Sequence, residues 1–202
     1  MVLAAERPVL ARSEVTGLIL AGGRGRRMQG RDKGLVNLAG RPLIVHALAR
    51  LRPQVGQVLL NANRHIPTYA GFGPPVIIDD RLDYPGPLAG LAAGLATAPT
   101  AYLLTTPCDT PWLPLDLRQR LSSALLEAGT DVAVAHDGER LQPLFALLHR
   151  RVGNDLRAFL EGGNRTVAAW LERQSVAVVR YTGQASAFAN INRLSELNDS
   201  RQ

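Results

Sequence analysis

A three-layer α/β/α fold with a mostly parallel central sheet is what this sequence predicts, on three observations. Apolar runs of strand length alternate with helix-length segments through the first two-thirds of the chain. A polar cluster follows the apolar runs at residues 15–20, 55–60, 76–78 and 102–105, and in open α/β sheets ligands gather beyond the carboxyl ends of the strands. Finally, 202 residues without a repeat or low-complexity linker fit one domain large enough to bury a real core.

Residues 1–15 read as a short flexible arm, because Glu6, Arg7, Pro8 and Arg12 break any apolar leader. Residues 16–202 then form a single domain. After the first strand and a glycine-rich loop, Pro42 opens a helix with Leu43, Ile44, Ala47, Leu48 and Leu51 on one face, and Pro53 ends it. Strands at 55–60 and 76–78 deliver Asn61, Asn63 and Arg64, and then Asp79 and Asp80. The turn-rich stretch 83–90 runs into a small-residue helix ending near Ala98. A strand at 102–105 ends in Pro107-Cys108-Asp109-Thr110-Pro111, followed by a helix at 114–128 and a strand at 131–135. Asp137-Gly138 is a hairpin signal with 141–148 as its return strand. Helices at 150–161 and 167–173 come next, the second capped by Asn164 or Thr166. A strand at 176–181, an extended piece at 188–192 and a terminal helix from Leu194 complete the chain.

The loop after the first strand is the most informative stretch. It holds Gly22, Gly23, Gly25, Gly30 and Gly34, with Arg24, Arg26, Arg27, Arg31 and Lys33 between them. Glycines let the backbone bring its N–H groups close to a ligand, and the cations suit a polyphosphate. A solvated basic loop is the competing reading, but a stretch approaching ~20 residues without a helix pattern is usually functional or disordered. The Walker pattern fails because Arg31 and Asp32 follow Gly30 where Lys and Ser/Thr belong, and G-x-G-x-x-G fails at Met28. Lys33 is the chain's single lysine. An ammonium contacts phosphate as a point charge, without the planar fork of arginine.

Composition narrows the function classes. The apolar share of 46% and charged share of 20% are those of an ordinary globular protein. A net charge of +6 raises nucleic acid as a partner, but the arginines are scattered, aromatics make up 5%, and no zinc-finger or RNP pattern occurs. The expectation is therefore anionic small-molecule chemistry, with no nucleic acid. The single Cys108 excludes an intrachain disulfide and fits a reducing, cytoplasmic setting. No apolar run reaches ~18 residues, so no membrane span is expected.

Asp109, stiffened by Pro107 and Pro111, is a candidate Mg²⁺ ligand, since Mg²⁺ takes one or two carboxylates plus phosphates and waters. Its alternative role is a turn former or helix N-cap. Asn61 and Asn63 either cap a strand end or bind a nucleoside, and Asp79, Asp80 and Asp83 either hold ribose or base donors or form a solvated turn. Asn190 and Asn192 are neutral oxygen donors that either complete a metal site or stabilise a loop. His136 and Gln142 flank the hairpin and face a second ligand in the functional reading. His46 and His65 have no motif around them.

The loop Leu-Ala-Gly-Gly-x-Gly-x-Arg-Met-x-Gly-x-Asp-Lys-Gly, residues 20–34, resembles the signature of nucleotidyltransferases built on the nucleotide-diphospho-sugar transferase fold. The later stretches 61–64, 83–90, 107–111, 136–140 and 190–192, in that order, resemble the molybdenum cofactor guanylyltransferase family within that group. The resemblance runs from about Thr16 to Leu197. Arg24 and Gln29 fall at positions expected to vary.

This resemblance implies transfer of GMP from MgGTP to the terminal phosphate of the molybdenum–molybdopterin cofactor, with release of pyrophosphate. It implies a GTP-binding N-terminal half, where Leu20, Ala21, Gly22, Gly23, Lys33, Asn61, Asp79 and Asp109 contact the nucleotide. Lys33, Arg27 and Asp109 would be the catalytic groups, and Asp109 the ligand of Mg²⁺. The C-terminal part would take the pterin through Asn190, Asn192 and Gln142. Further implied partners are cofactor-insertion proteins and acceptor apoenzymes, with the enzyme itself a monomer. The competing readings are a cytidylyl- or sugar-phosphate nucleotidyltransferase sharing the glycine loop, and a non-catalytic carrier of GTP or the cofactor.

Overall fold

The computed structural model describes residues 8–21, 32–79 and 86–191. Gly22, Gly23, Arg27, the rest of the loop cations before Asp32, Asp80, Asp83, Asn192 and the helix expected from Leu194 lie outside the described residues.

Nine strands occur among these residues: β1 (Val15–Leu20), β2 (Asn37–Leu38), β3 (Arg41–Pro42), β4 (Gln57–Asn61), β5 (Val76–Ile77), β6 (Tyr102–Pro107), β7 (Val132–His136), β8 (Leu141–His149) and β9 (Val176–Arg180). Six helices accompany them: α1 (Leu43–Leu51), α2 (Ile66–Ala70), α3 (Pro87–Thr97), α4 (Leu117–Ala128), α5 (Gly153–Glu161) and α6 (Val167–Leu171). Seven strands form one sheet in the order β5-β4-β1-β6-β8-β7-β9. β1 pairs in parallel with both β4 and β6, β4 with β5, and β7 with β9. Only β8 runs against its neighbours, because the turn at 137–140 folds it back from β7 and it inserts beside β6. The predicted mostly parallel sheet is therefore present, with one hairpin strand inside it.

β1 is buried along its whole length, as its apolar sequence requires of a central strand. Its side chains alternate between two cores. Val15 and Ile19 join α1 and α4 on one face through Ile44, Leu48, Leu51, Leu117 and Leu121. Leu18 and Leu20 join α3, α5 and α6 on the other through Leu91, Leu95, Leu156, Phe159 and Trp170. This makes three layers. Among the described residues no helix is long and apolar enough to cross a membrane.

Several details depart from the sequence expectation. Leu10 is buried in the first core and its carbonyl accepts from Arg118, so the expected arm is docked from that point on. The long loop contains a turn at Lys33–Leu35 and the small β2–β3 hairpin before α1 begins. α2 was not legible as a helix. A single tight turn at 185–188 precedes the extended piece, which begins at Ala189 rather than at Phe188, and the Phe188 ring packs edge-on to Phe145 and Tyr181. Thr166 rather than Asn164 caps α6, accepting from the Ala169 amide.

Candidate active site

Parallel pairing brings the carboxyl ends of β1, β4, β5 and β6 to one edge, and the sequence places a polar residue at or just after the end of β4, β5 and β6. The edge continues the sheet's ladder. Ala21 donates to the Asn61 carbonyl at 2.8 Å and Cys108 to the Leu20 carbonyl at 3.1 Å. The Leu20 carbonyl and Ala21 amide are thus engaged in the sheet.

Asp109 follows β6 and is 6% exposed. Its Oδ2 accepts from the Lys33 ammonium at 2.8 Å, whereas its Oδ1 has no hydrogen-bond partner among the described residues. A buried carboxylate oxygen left open in this way is costly unless something binds it. The Ile191 amide donates to the Asp109 carbonyl at 2.9 Å, which seats Asn190 beside the same strand end. Ile191 itself is anchored with Val36, Leu38 and Leu43 in a small apolar cluster.

A second cluster sits at the ends of β4 and β5. Asp79 is buried, and its two oxygens accept from the side-chain amides of Asn61 at 2.8 Å and Asn63 at 2.6 Å. The Asn63 oxygen in turn accepts from the Asp79 backbone at 2.9 Å. These contacts fix the carboxylate while leaving lone pairs for further N–H or O–H donors. Gly90, in the first turn of α3, allows the helix to close on this cluster. A Cβ there would stand 2.8 Å from Leu20 Cδ2 and overlap the Asn61 oxygen.

Sequence reasoning missed the hub beneath Lys33. Asp32 precedes Lys33 and is 6% exposed. Its Oδ1 accepts from the Tyr69 hydroxyl at 2.5 Å and from the Gly34 amide at 3.2 Å, capping the Lys33–Leu35 turn. Arg64 Nε lies 3.4 Å from Asp32 Oδ2. Burial, then the neighbouring Cys108 and Asp32, push the Tyr69 hydroxyl far above its ordinary pKa, so it remains a donor. Burial and the charges of Asp109 and Asp32 likewise push the Cys108 thiol up. An Asp-Lys-Gly turn was the available signal for Asp32; nothing marked Tyr69.

The hairpin at 137–140 lies at the same edge, because β7 runs parallel to β6. Gln142 donates to Asp137 Oδ2 at 2.5 Å, and the Glu139 and Arg140 amides both donate to Oδ1 at 2.8 Å. Burial raises the Asp137 carboxyl, but these bonds outweigh it and hold it below the usual range. His136 accepts from Gly138 within the turn, His46 contacts the Leu38 carbonyl, and His65 supplies a left-handed residue before α2.

An ammonium, a half-satisfied carboxylate and an amide–carboxylate fork thus line the carboxyl edge of a mostly parallel sheet, the edge at which open α/β folds hold their ligands. The family model described as MobA-like NTP transferase domain matches residues 17–178. The chain is 50% identical over 195 residues to the molybdenum cofactor guanylyltransferase of Ralstonia nicotianae, covering 92% of this chain and 95% of that one. It is 47% identical to the enzyme of the same name from Bordetella petrii, with 94% and 98% covered. Among solved structures, molybdopterin-guanine dinucleotide biosynthesis protein A from Archaeoglobus fulgidus superposes with a TM-score of 0.77 at 23% identity, covering 92% of this chain and 96% of that one. The 4-diphosphocytidyl-2C-methyl-D-erythritol synthase of Anaerococcus prevotii shares the fold at a TM-score of 0.70 and 12% identity, with 93% and 94% covered. The chain belongs to the MobA-like NTP transferase family and, within it, to the molybdenum cofactor guanylyltransferases. It is a nucleotidyltransferase enzyme.

Proposed function

We propose that this chain transfers GMP from MgGTP to the terminal phosphate of the molybdenum–molybdopterin cofactor, forming molybdopterin guanine dinucleotide and pyrophosphate. The observation that carries the site assignment is the Lys33–Asp109 pair, with one oxygen of Asp109 bound to the ammonium and the other open. Support for GTP and the pterin as substrates comes from the relatives that share about half of this sequence.

The nucleophile is a phosphate oxygen of the acceptor, already anionic because its second pKa is about 6. No side chain has to remove a proton. The bond from the α-phosphorus to the acceptor oxygen forms, and the bond to the bridging β-phosphate oxygen breaks. Pyrophosphate departs with that electron pair.

Repulsion between two polyanions is the obstacle, and Lys33 opposes it by placing a positive charge against the phosphates. Arg27 adds charge in the same role. Asn61 and Asp79 hold the nucleoside side through the fork described above, with Leu20, Ala21, Gly22 and Gly23 offering backbone groups. Asp109 Oδ1 fits Mg²⁺ as a buried anionic oxygen without a partner among the described residues, and the Ile191 amide on the Asp109 carbonyl brings the backbone at Asn190 to the same strand end. When bound, the ion supplies charge stabilisation for the phosphates in the transition state. Asn190, Asn192 and Gln142 bind on the pterin side. The protein works in the cytoplasm as a monomer, and hands its product to insertion proteins or acceptor apoenzymes.

Isotope placement tests the reaction. With GTP labelled at the α-phosphorus, label is expected in the pterin dinucleotide, and with γ-label it is expected in pyrophosphate. Label recovered in GDP and inorganic phosphate would overturn the proposal in favour of hydrolysis.

A further inference from the structure

Tyr69 belongs to none of the groups just named, yet its hydroxyl reaches the turn that carries Lys33. Tyr69 is fully buried on α2, and its hydroxyl donates to Asp32 Oδ1 at 2.5 Å. The same oxygen accepts from the Gly34 amide, and the Leu35 and Val36 amides close the turn on the carbonyls of Asp32 and Lys33 at 3.1 Å each. Gly34 is clasped between two elements. A Cβ there would overlap the Tyr69 hydroxyl and stand 3.4 Å from Cys108 Sγ. The Lys33 turn is thus gripped by α2 on one side and by the residue preceding Asp109 on the other.

We infer that Tyr69 is a positioning residue for the transfer reaction, setting the Lys33 ammonium against the phosphates by holding Asp32. The inference rests on the reading of Lys33 as a phosphate contact. A lysine side chain has many rotamers, and its electrostatic effect is largest when its backbone anchor is fixed before substrate arrives. Asp32 supplies that anchor only while its carboxylate is itself held. Because α2 follows directly from Asn61, Asn63 and Arg64, the same element ties the nucleoside end of the site to the phosphate end.

A double-mutant cycle between Tyr69→Phe and Lys33→Ala tests this, with kcat, KM for GTP and the thermal midpoint measured on the full-length enzyme. Tyr69→Phe keeps the ring and removes one hydroxyl. It is expected to lower kcat about tenfold with KM for GTP within about twofold, at a temperature well below unfolding. In the Lys33→Ala background the same change is expected to alter kcat by less than about twofold, since the group it positions is gone. A role confined to packing would lower the thermal midpoint and leave kcat alone, which would overturn the inference. Effects that multiply in the double variant would also overturn it. Asp32→Ala, taken through the same cycle, reads the link from its other end if Tyr69→Phe does not fold. Lys33→Ala with unchanged turnover would instead remove the underlying reading of Lys33, and the inference with it.

Discussion

The Lys33 ammonium lies 2.8 Å from Asp109 Oδ2, joining the end of the glycine loop to the end of β6 across 76 positions of sequence. In this arrangement the ammonium screens the charge of a nearly buried carboxylate. Asp109→Ala and Lys33→Ala are each expected to lower turnover by about 10²–10³-fold, equivalent to roughly 3–4 kcal/mol in the barrier. Their cost to folding should be smaller. Lys33 is partly exposed and can turn to water in Asp109→Ala, while Lys33→Ala leaves Asp109 short of a partner at a cost of about 1–2 kcal/mol. Parallel kinetics and denaturant titrations check both. Near-normal turnover in either variant would remove its assigned role.

Asp79 is expected to act in binding rather than in the chemical step. Its carboxylate is held by Asn61 and Asn63 and has no contact with Asp109 or Lys33 among those described. Asp79→Asn should raise KM for GTP about tenfold, with kcat changed less than about twofold. A fall in kcat at unchanged KM would place Asp79 in the transition state instead.

Gly90→Ala should disturb the same cluster from the other side. The added methyl would press on the Asn61 oxygen and Leu20, so a destabilisation of about 1–3 kcal/mol is expected. KM for GTP should rise alongside it. Calorimetry and kinetics on the same sample would separate the two effects.

His149 makes stability depend on pH far from the site. Its Nδ1 accepts from both the backbone and the Nε of Arg151 at 3.1 Å. Burial and the Arg151 charge hold the imidazole below its ordinary value of 6.5, outweighing Asp131 at 4.0 Å. The unfolded chain therefore binds this proton first on acidification. The site's stabilisation is complete above about pH 6.5 and is lost as pH falls through the folded value. His149→Gln, which can still accept through its side-chain oxygen, should flatten the fall in unfolding free energy between about pH 7 and pH 5. An unchanged slope would show that other groups govern it.

The edge clusters were legible because each polar residue closes or follows a short apolar run of strand length, as Asn61, Asp79 and Asp109 do. The partnership of Asp32 and Tyr69 was not. The two stand 37 positions apart, and Tyr69 sits on a five-residue helix too short to show a period, entered through His65 at a φ of 52°. The hairpin at Asp137-Gly138 was readable from its turn, but the insertion of β8 beside β6 was not, since hairpin chemistry sets direction and not strand order. Residues 185–188 carry no helical pattern, and their turn is accompanied by the packing of Phe188 on Phe145 and Tyr181.

Pyrophosphate release, measured with Mg²⁺ and the molybdenum-loaded pterin cofactor in the presence of GTP, CTP or ATP, tests the central claim most directly. Release is expected with GTP alone, and only when the pterin acceptor is present. Release with CTP in preference to GTP, or pyrophosphate formation independent of the pterin, would contradict it.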